Sequence, residues 1–252
     1  RNAASPLLPA ALLRRRRALA ADAIVLLAAG ALLAMFFFLT LYLQRVLGLT
    51  ALQTGLAFLP FSATMGLVSI AAERLPDGLD LRVPIVVGAL AAAGGLWLLG
   101  NLGPGGHYGG EVLPPLVLAA AGIALAFVPL MHIATGGAEE RDGGLASGMM
   151  TACQQIGGAV GIAVAISIAT GRTDDALAGG ARPVAALTHG FQGAFHVQAA
   201  LMLAAAVLTA ALLGAGRRGA SVVTDRIERF TRGTEHPGAG GLSEPAAASN
   251  RR

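Results

Sequence analysis

Residues 145–170 read LASGMMTACQQIGGAVGIAVAISIAT and contain no charged side chain. As a helix this stretch is roughly 39 Å long at 1.5 Å per residue, enough to cross about 30 Å of hydrocarbon. Two adjacent amides, Gln154 and Gln155, interrupt it, followed at once by glycines. On a helix Gln154, Gly158, Gly161 and Ala165 fall on one face, and Gly157 and Gly161 form a small-xxx-small pattern. In lipid, where tails are as apolar as leucine, such patterns let backbones approach and amides bond across the contact. The stretch therefore predicts a membrane helix with a close neighbour.

The composition agrees with this reading. Of 252 residues, 55% are hydrophobic and 13% charged, and mean hydropathy is +0.67. A soluble domain carries about 25% charged residues. The basic residues are all arginine, the net charge is only +4, and the arginines are scattered, so no nucleic-acid partner is expected. The single cysteine, Cys153, leaves no disulfide and reads as a small packing residue. No cofactor and no metal site is expected. The sequence starts Arg1-Asn2 without methionine, and it reads as a fragment whose upstream part is missing.

Uncharged apolar runs recur at 23–43, 55–72, 83–102, 112–134, 145–170 and 194–215. Their continuity favours helices over alternating barrel strands. The expected fold is all-α, a polytopic six-helix bundle. Residues 1–22 form a cytoplasmic segment, 23–216 the membrane domain, and 217–252 a polar cytoplasmic tail expected to be disordered. With the N-terminus inside, fifteen arginines lie in cytoplasmic segments and only Arg45, Arg172 and Arg182 outside. That asymmetry predicts that both termini are cytoplasmic, and the expected location is the plasma membrane. The outer loop 101–115, NLGPGGHYGGEVLPP, reads as a flexible connector.

The order of motifs resembles the C-terminal half of major facilitator superfamily transporters, most closely the drug:proton antiporter branch with fourteen spans. Tyr42-Leu43-Gln44 ends the first apolar run, then Val46-Leu47-Gly48, Gln53-Thr54-Gly55-Leu56 and Pro60 follow. Gly144-Leu145-Ala146-Ser147-Gly148 and Gln155-Ile156-Gly157-Gly158-Ala159 look like that branch's penultimate helix. The loop AAERLPDGLDLR keeps only a loose copy of the family's charged loop motif, Gln154 stands where a basic residue often does, and the antiporter Gly-Pro motif belongs to the other half. The resemblance implies proton-driven export of small hydrophobic compounds or drugs by alternating access. Its partners would be the lipid bilayer, the missing N-terminal half, the substrate and protons.

The family pattern also sorts the helices. The first and fourth of each half line the central pathway, the third and sixth face lipid, and the second and fifth meet the opposite half. This makes Phe38, Tyr42, Gln44, Gln154 and Gln155 the candidate pathway residues, and Gly157, Gly158 and Gly161 the helix-packing ones. Ala206 on the sixth span is expected to face lipid. Asp22, His132 and His196 read as interfacial groups, and Glu139, Glu140, Arg141 and Asp142 as a solvated inner loop. A membrane enzyme would need convergent reactive groups, and Ser147, His132 and Cys153 show no such spacing. A non-transporting scaffold or regulatory half-protein is the other alternative.

Overall fold

A computed structural model describes residues 7–74, 80–135 and 143–212, with side chains described over 20–74, 80–131 and 148–212. Among the described residues seven α-helices follow one another. They are α1 (Leu7–Arg45), α2 (Ala51–Ala57), α3 (Leu59–Glu73), α4 (Arg82–Leu99), α5 (Leu113–Thr135), α6 (Gly143–Ala178) and α7 (Pro183–Leu212). A π-helical turn, Tyr108–Val112, leads into α5. The described residues contain no strand. Among the described residues six segments are long and apolar enough to cross a membrane, α2 and α3 forming the second together. The fold is therefore the all-α six-helix bundle. One end carries the outset of α1 and the close of α7, and is called the terminal end; the other is the loop end.

Local chemistry explains the breaks. Gly48 turns the chain after α1 with φ +71°, a conformation that a Cβ disfavours. Thr50 then caps α2 in a capping box. Its hydroxyl accepts from the Gln53 amide N–H, and the Gln53 side chain accepts from the Thr50 N–H at 2.9 Å. The second span is interrupted at Phe58, where Pro60 in the first turn of α3 cannot supply a backbone N–H.

Two spans differ from their hydropathy windows. The fifth continues as helix through Arg172, Asp174 and Asp175 to Ala178, and the sixth starts at Pro183 instead of 194. Hydropathy falls where the hydrocarbon ends, but a helix stops at a breaker. Here the breaker is Gly179-Gly180, with Gly180 at φ +82°, and Pro183 opens the next helix. The added turns pack on each other: a Cβ at Gly190 would fall on Thr173 and Ala169, and one at Gly193 on the Arg172 side chain. At the other end α1 begins at Leu7 and runs through Arg14 to Arg17.

The interior is built on α1. Met35, Phe38, Leu39 and Tyr42 are buried against Leu96 and Leu99 of α4, Leu116 of α5, and Phe195 and Met202 of α7. Small residues bring the helices into contact. A Cβ at Gly122 of α5 would fall on the α4 backbone at Gly88 and Ala92, and one at Gly95 on the α5 backbone at Ala119. In the most apolar stretches of the first, third and fourth spans 50% of residues are buried, and in the sixth 39%. In the second and fifth the shares are 17% and 28%, so these two expose most of their surface. The third and sixth still expose a face each, with Trp97, Leu98, Leu203 and Val207 on it. Ala206 is not on that face, contrary to expectation; it is 3% exposed, because the inward stripe of α7 runs through 202, 205, 206 and 209.

Candidate functional site

The structure separates the two glutamines. Gly157 and Gly161 of α6 lie against α1, where a Cβ at either would fall on backbone atoms of Leu26 or Gly30. Gly158 sits over the Leu33 side chain, and Ala165 is fully buried on the same side. Gln154 is half-buried on this packed face, at its terminal-end edge. Gln155, one position on, is exposed with Ile156, Ala159, Val160 and Ala163. A step of about 100° around the helix accounts for the difference. Among the described residues neither side chain makes a hydrogen bond.

Phe38 and Tyr42 are interior residues of this bundle. Phe38 is 2% exposed and meets Phe191 edge-on at a centroid distance of 5.9 Å. Tyr42 is fully buried and donates from its hydroxyl to the Gly103 carbonyl at 2.8 Å. Gln44 is exposed at the loop end. His196 lies half-buried on α7, its ring tilted against Trp97 at a centroid distance of 4.5 Å and its Nε2 above Gly100. Asp22 and Cys153 are half-buried near the terminal end. The side chain of His132, the loop with Glu139 to Asp142, Ser147 and the tail from Arg217 lie outside the described side chains.

The connector expected to be flexible is strapped at three points. Tyr42 holds Gly103, and Gln192 of α7 donates to the Leu102 carbonyl at 2.8 Å. Tyr108 donates to the Ala57 carbonyl at 2.6 Å, just where the second span is interrupted. Around the same break Phe36 of α1 packs on Phe58 and Phe61 at 5.1 and 5.0 Å. Turn composition shows where a chain reverses, but not which distant side chains reach it, so these tethers were invisible in the sequence.

Three further features were missed. Gln198 of α7 is fully buried, and both its amide atoms lack a hydrogen-bond partner. A small apolar cavity lies between α1, α4, α5 and α7 around Ile24, Ala92 and Met202. A larger one of about 410 Å³ opens at the loop end between α1, α6 and α7. It is lined by Phe37, Phe38, Ile166 and Phe191, with Arg45 and Asp174 toward the loop end. The eight-residue spacing of Phe37 and Arg45 was a usable signal, since two helical turns carry one wall from apolar depth to charged rim. The described residues hold no cluster of metal-ligating side chains.

A charge-poor, all-helical bundle with six spans and closely packed glycine seams defines a polytopic membrane protein. Residues 1–162 match the Major Facilitator Superfamily. The chain belongs to that superfamily. It is 37% identical over 213 residues to the cephamycin export protein CmcT of Amycolatopsis lactamdurans, covering 84% of this chain and 42% of that protein. It is 36% identical over 183 residues to the puromycin resistance protein pur8 of Streptomyces alboniger, covering 70% of this chain and 36% of that one. A multidrug resistance protein, Stp of Mycobacterium tuberculosis, is 36% identical over 129 residues, 51% of this chain and 24% of Stp. The chain thus spans less than half the length of each of these relatives.

Proposed function

We propose that this chain is the C-terminal half of a secondary active transporter that exports small hydrophobic compounds by alternating access, driven by protons. The observation that carries the reading is the uncovered surface of the second and fifth spans. Leu52, Leu56, Leu59, Leu67 and Ile70 on one, and Ile156, Val160 and Val164 on the other, are exposed and apolar. Apolar faces alone would suit lipid. Their position on those two spans, and the export and resistance functions named for relatives about twice as long, favour a second membrane half as the occupant.

In this reading the bundle moves as one body. The Gly30–Gly157–Gly161 seam locks α6 to α1, and the Phe36–Phe58–Phe61 cluster locks the second span to α1, so rocking occurs at the outer faces. Gln155 is the amide on the moving face, and Gln154 is part of the static seam. A membrane hydrogen bond from Gln155 is worth only about 0.6–2 kcal/mol, weak enough to break and re-form each cycle. Charged side chains of the described spans stand near their ends: Asp22, Arg45, Glu73, Arg82, Glu111, Arg172, Asp174 and Asp175. Proton coupling is accordingly assigned to the other half. The protein acts as a transporter and not as an enzyme.

We place the chain in the plasma membrane, and the arginine asymmetry supports an orientation with the terminal end cytoplasmic. Reporter fusions after Gly105 and Gly180 should then read as external, and those after Gly78 and Gly143 as cytoplasmic. For function, efflux is measured in cells lacking other exporters. Residues 1–252 alone should stay at background, and co-expression of an N-terminal half from such a relative should raise proton-dependent efflux. Efflux by this chain alone would contradict the two-half reading, and none with any partner half would favour a non-transporting scaffold.

A further inference from the structure

We propose that the cleft between α1, α6 and α7 at the loop end binds a zwitterionic amphiphile, its apolar body on the phenylalanine floor and its two charges at Arg45 and Asp174. As a binding site this stands on the geometry below; as a point on the export route it rests on the function proposed above.

The size and lining fit a ligand. A volume of about 410 Å³ lies within the roughly 300–1,000 Å³ of small-molecule pockets, which are mostly apolar with a few polar groups placed to orient the ligand. The floor is a continuous aromatic surface. Phe37 meets Phe38 edge-on at 5.2 Å, and Phe38 meets Phe191 at 5.9 Å. Both long walls run the same distance, Phe37 to Arg45 on α1 and Ile166 to Asp174 on α6. Eight residues at 1.5 Å set the charged end of the cleft about 12 Å along the helices from its apolar end. This is the length and polarity profile of an amphiphile standing in one leaflet.

The rim selects the charge type. Arg45 and Asp174 line the same cavity, yet they form no ion pair with each other, and among the described residues neither has another ionic or hydrogen-bonding side-chain partner. Both side chains are exposed and free to meet a ligand. Left apart across a cleft, they match a ligand with an anionic group toward the guanidinium and an ammonium toward the carboxylate. A purely cationic drug would leave Arg45 unmatched, and an anionic one Asp174. A soluble zwitterion and a phosphatidylcholine headgroup share this chemistry.

The test is equilibrium fluorescence of three dansyl probes on the 252-residue chain in dodecylmaltoside. The probes are Nε-dansyl-lysine (zwitterion), dansylcadaverine (cation) and dansyl-6-aminohexanoic acid (anion), which share one aromatic body. Dansyl-lysine is expected to bind about three- to fivefold tighter than either analogue, the size of a partly exposed ion pair. Arg45→Gln should abolish its advantage over the cation, and Asp174→Asn its advantage over the anion. Phe37→Ala should weaken all three together; Phe37 is 40% exposed, so this change leaves the bundle intact. Dihexanoylphosphatidylcholine below its micelle concentration separates the sources: competition with dansyl-lysine assigns the cleft to lipid, and its absence to soluble zwitterions. Equal binding of the three probes, or a ranking unchanged in both neutral variants, overturns the proposal. Export is not involved, so the ranking without efflux refutes only the transport reading, and efflux without the ranking refutes only this site.

Discussion

Gly161→Ala adds one methyl group at the point where α6 crosses α1. The new Cβ would stand 2.5 Å from the Gly30 Cα and 2.6 Å from its carbonyl carbon. Carbon atoms in contact sit about 3.5–4.0 Å apart, so the two helices must separate by roughly 1 Å. Every neighbour that the methyl meets is backbone, and no rotamer change relieves the clash. Overpacking of this kind costs about 1–3 kcal/mol. Gly171→Ala on the same helix is the matched control, because nothing lies within contact of a Cβ there. By helix propensity alone that change is neutral or stabilising by up to about 1 kcal/mol. Gly158→Ala should fall between them, since its Cβ meets only the Leu33 side chain, which is 38% exposed and able to turn away. The assay is equilibrium unfolding of the chain in mixed micelles by titration with sodium dodecyl sulfate, read by circular dichroism. The expected order of stability is Gly171→Ala, then Gly158→Ala, then Gly161→Ala. A Gly161→Ala variant as stable as Gly171→Ala would show that α1 and α6 do not touch at this point.

The remaining predictions use the same titration unless stated. Gln198→Leu should be neutral or stabilise by about 1–2 kcal/mol, because it replaces a buried amide without partners by an apolar side chain of similar volume; marked destabilisation would mean that the amide is bonded. Tyr108→Phe removes the hydrogen bond to Ala57 at the break in the second span, and should cost about 0.5–1.5 kcal/mol and speed amide exchange around Phe58; unchanged exchange there would count against the strap. Ala206→Leu should destabilise by about 1–3 kcal/mol while Val207→Leu, at a position 66% exposed, stays within about 0.5 kcal/mol, and the reverse would invert the orientation of α7. In cells co-expressing a partner half, Gln155→Leu should lower efflux with little loss of stability. Efflux that falls for Gln154→Leu and not for Gln155→Leu would reverse the roles given to the two amides.

The sequence alone determined what depends on local chemistry. Uncharged runs long enough for a bilayer define six helices, since in hydrocarbon each backbone must bond within itself. Pro60, Gly48 and the Thr50–Gln53 pair mark breaks and caps through interactions spanning a few residues. The Gly157–Gly161 pattern announced a close contact, because small side chains have that meaning wherever they repeat on one face. It could not name the partner. That α1 supplies Leu26 and Gly30 to the seam follows only from how two helices far apart in sequence cross. The same holds for adjacent glutamines that part onto packed and open faces, for an alanine that turns inward beside an exposed valine, and for a loop tied down by Tyr42, Tyr108 and Gln192. The extra turns of α6 and α7 escaped because hydropathy reports where the hydrocarbon stops, not where a helix does. Arg45 and Asp174 were each legible as charges at a span's end. Their shared cleft was not, because only the packing of α1, α6 and α7 brings together one rim from residues more than a hundred positions apart.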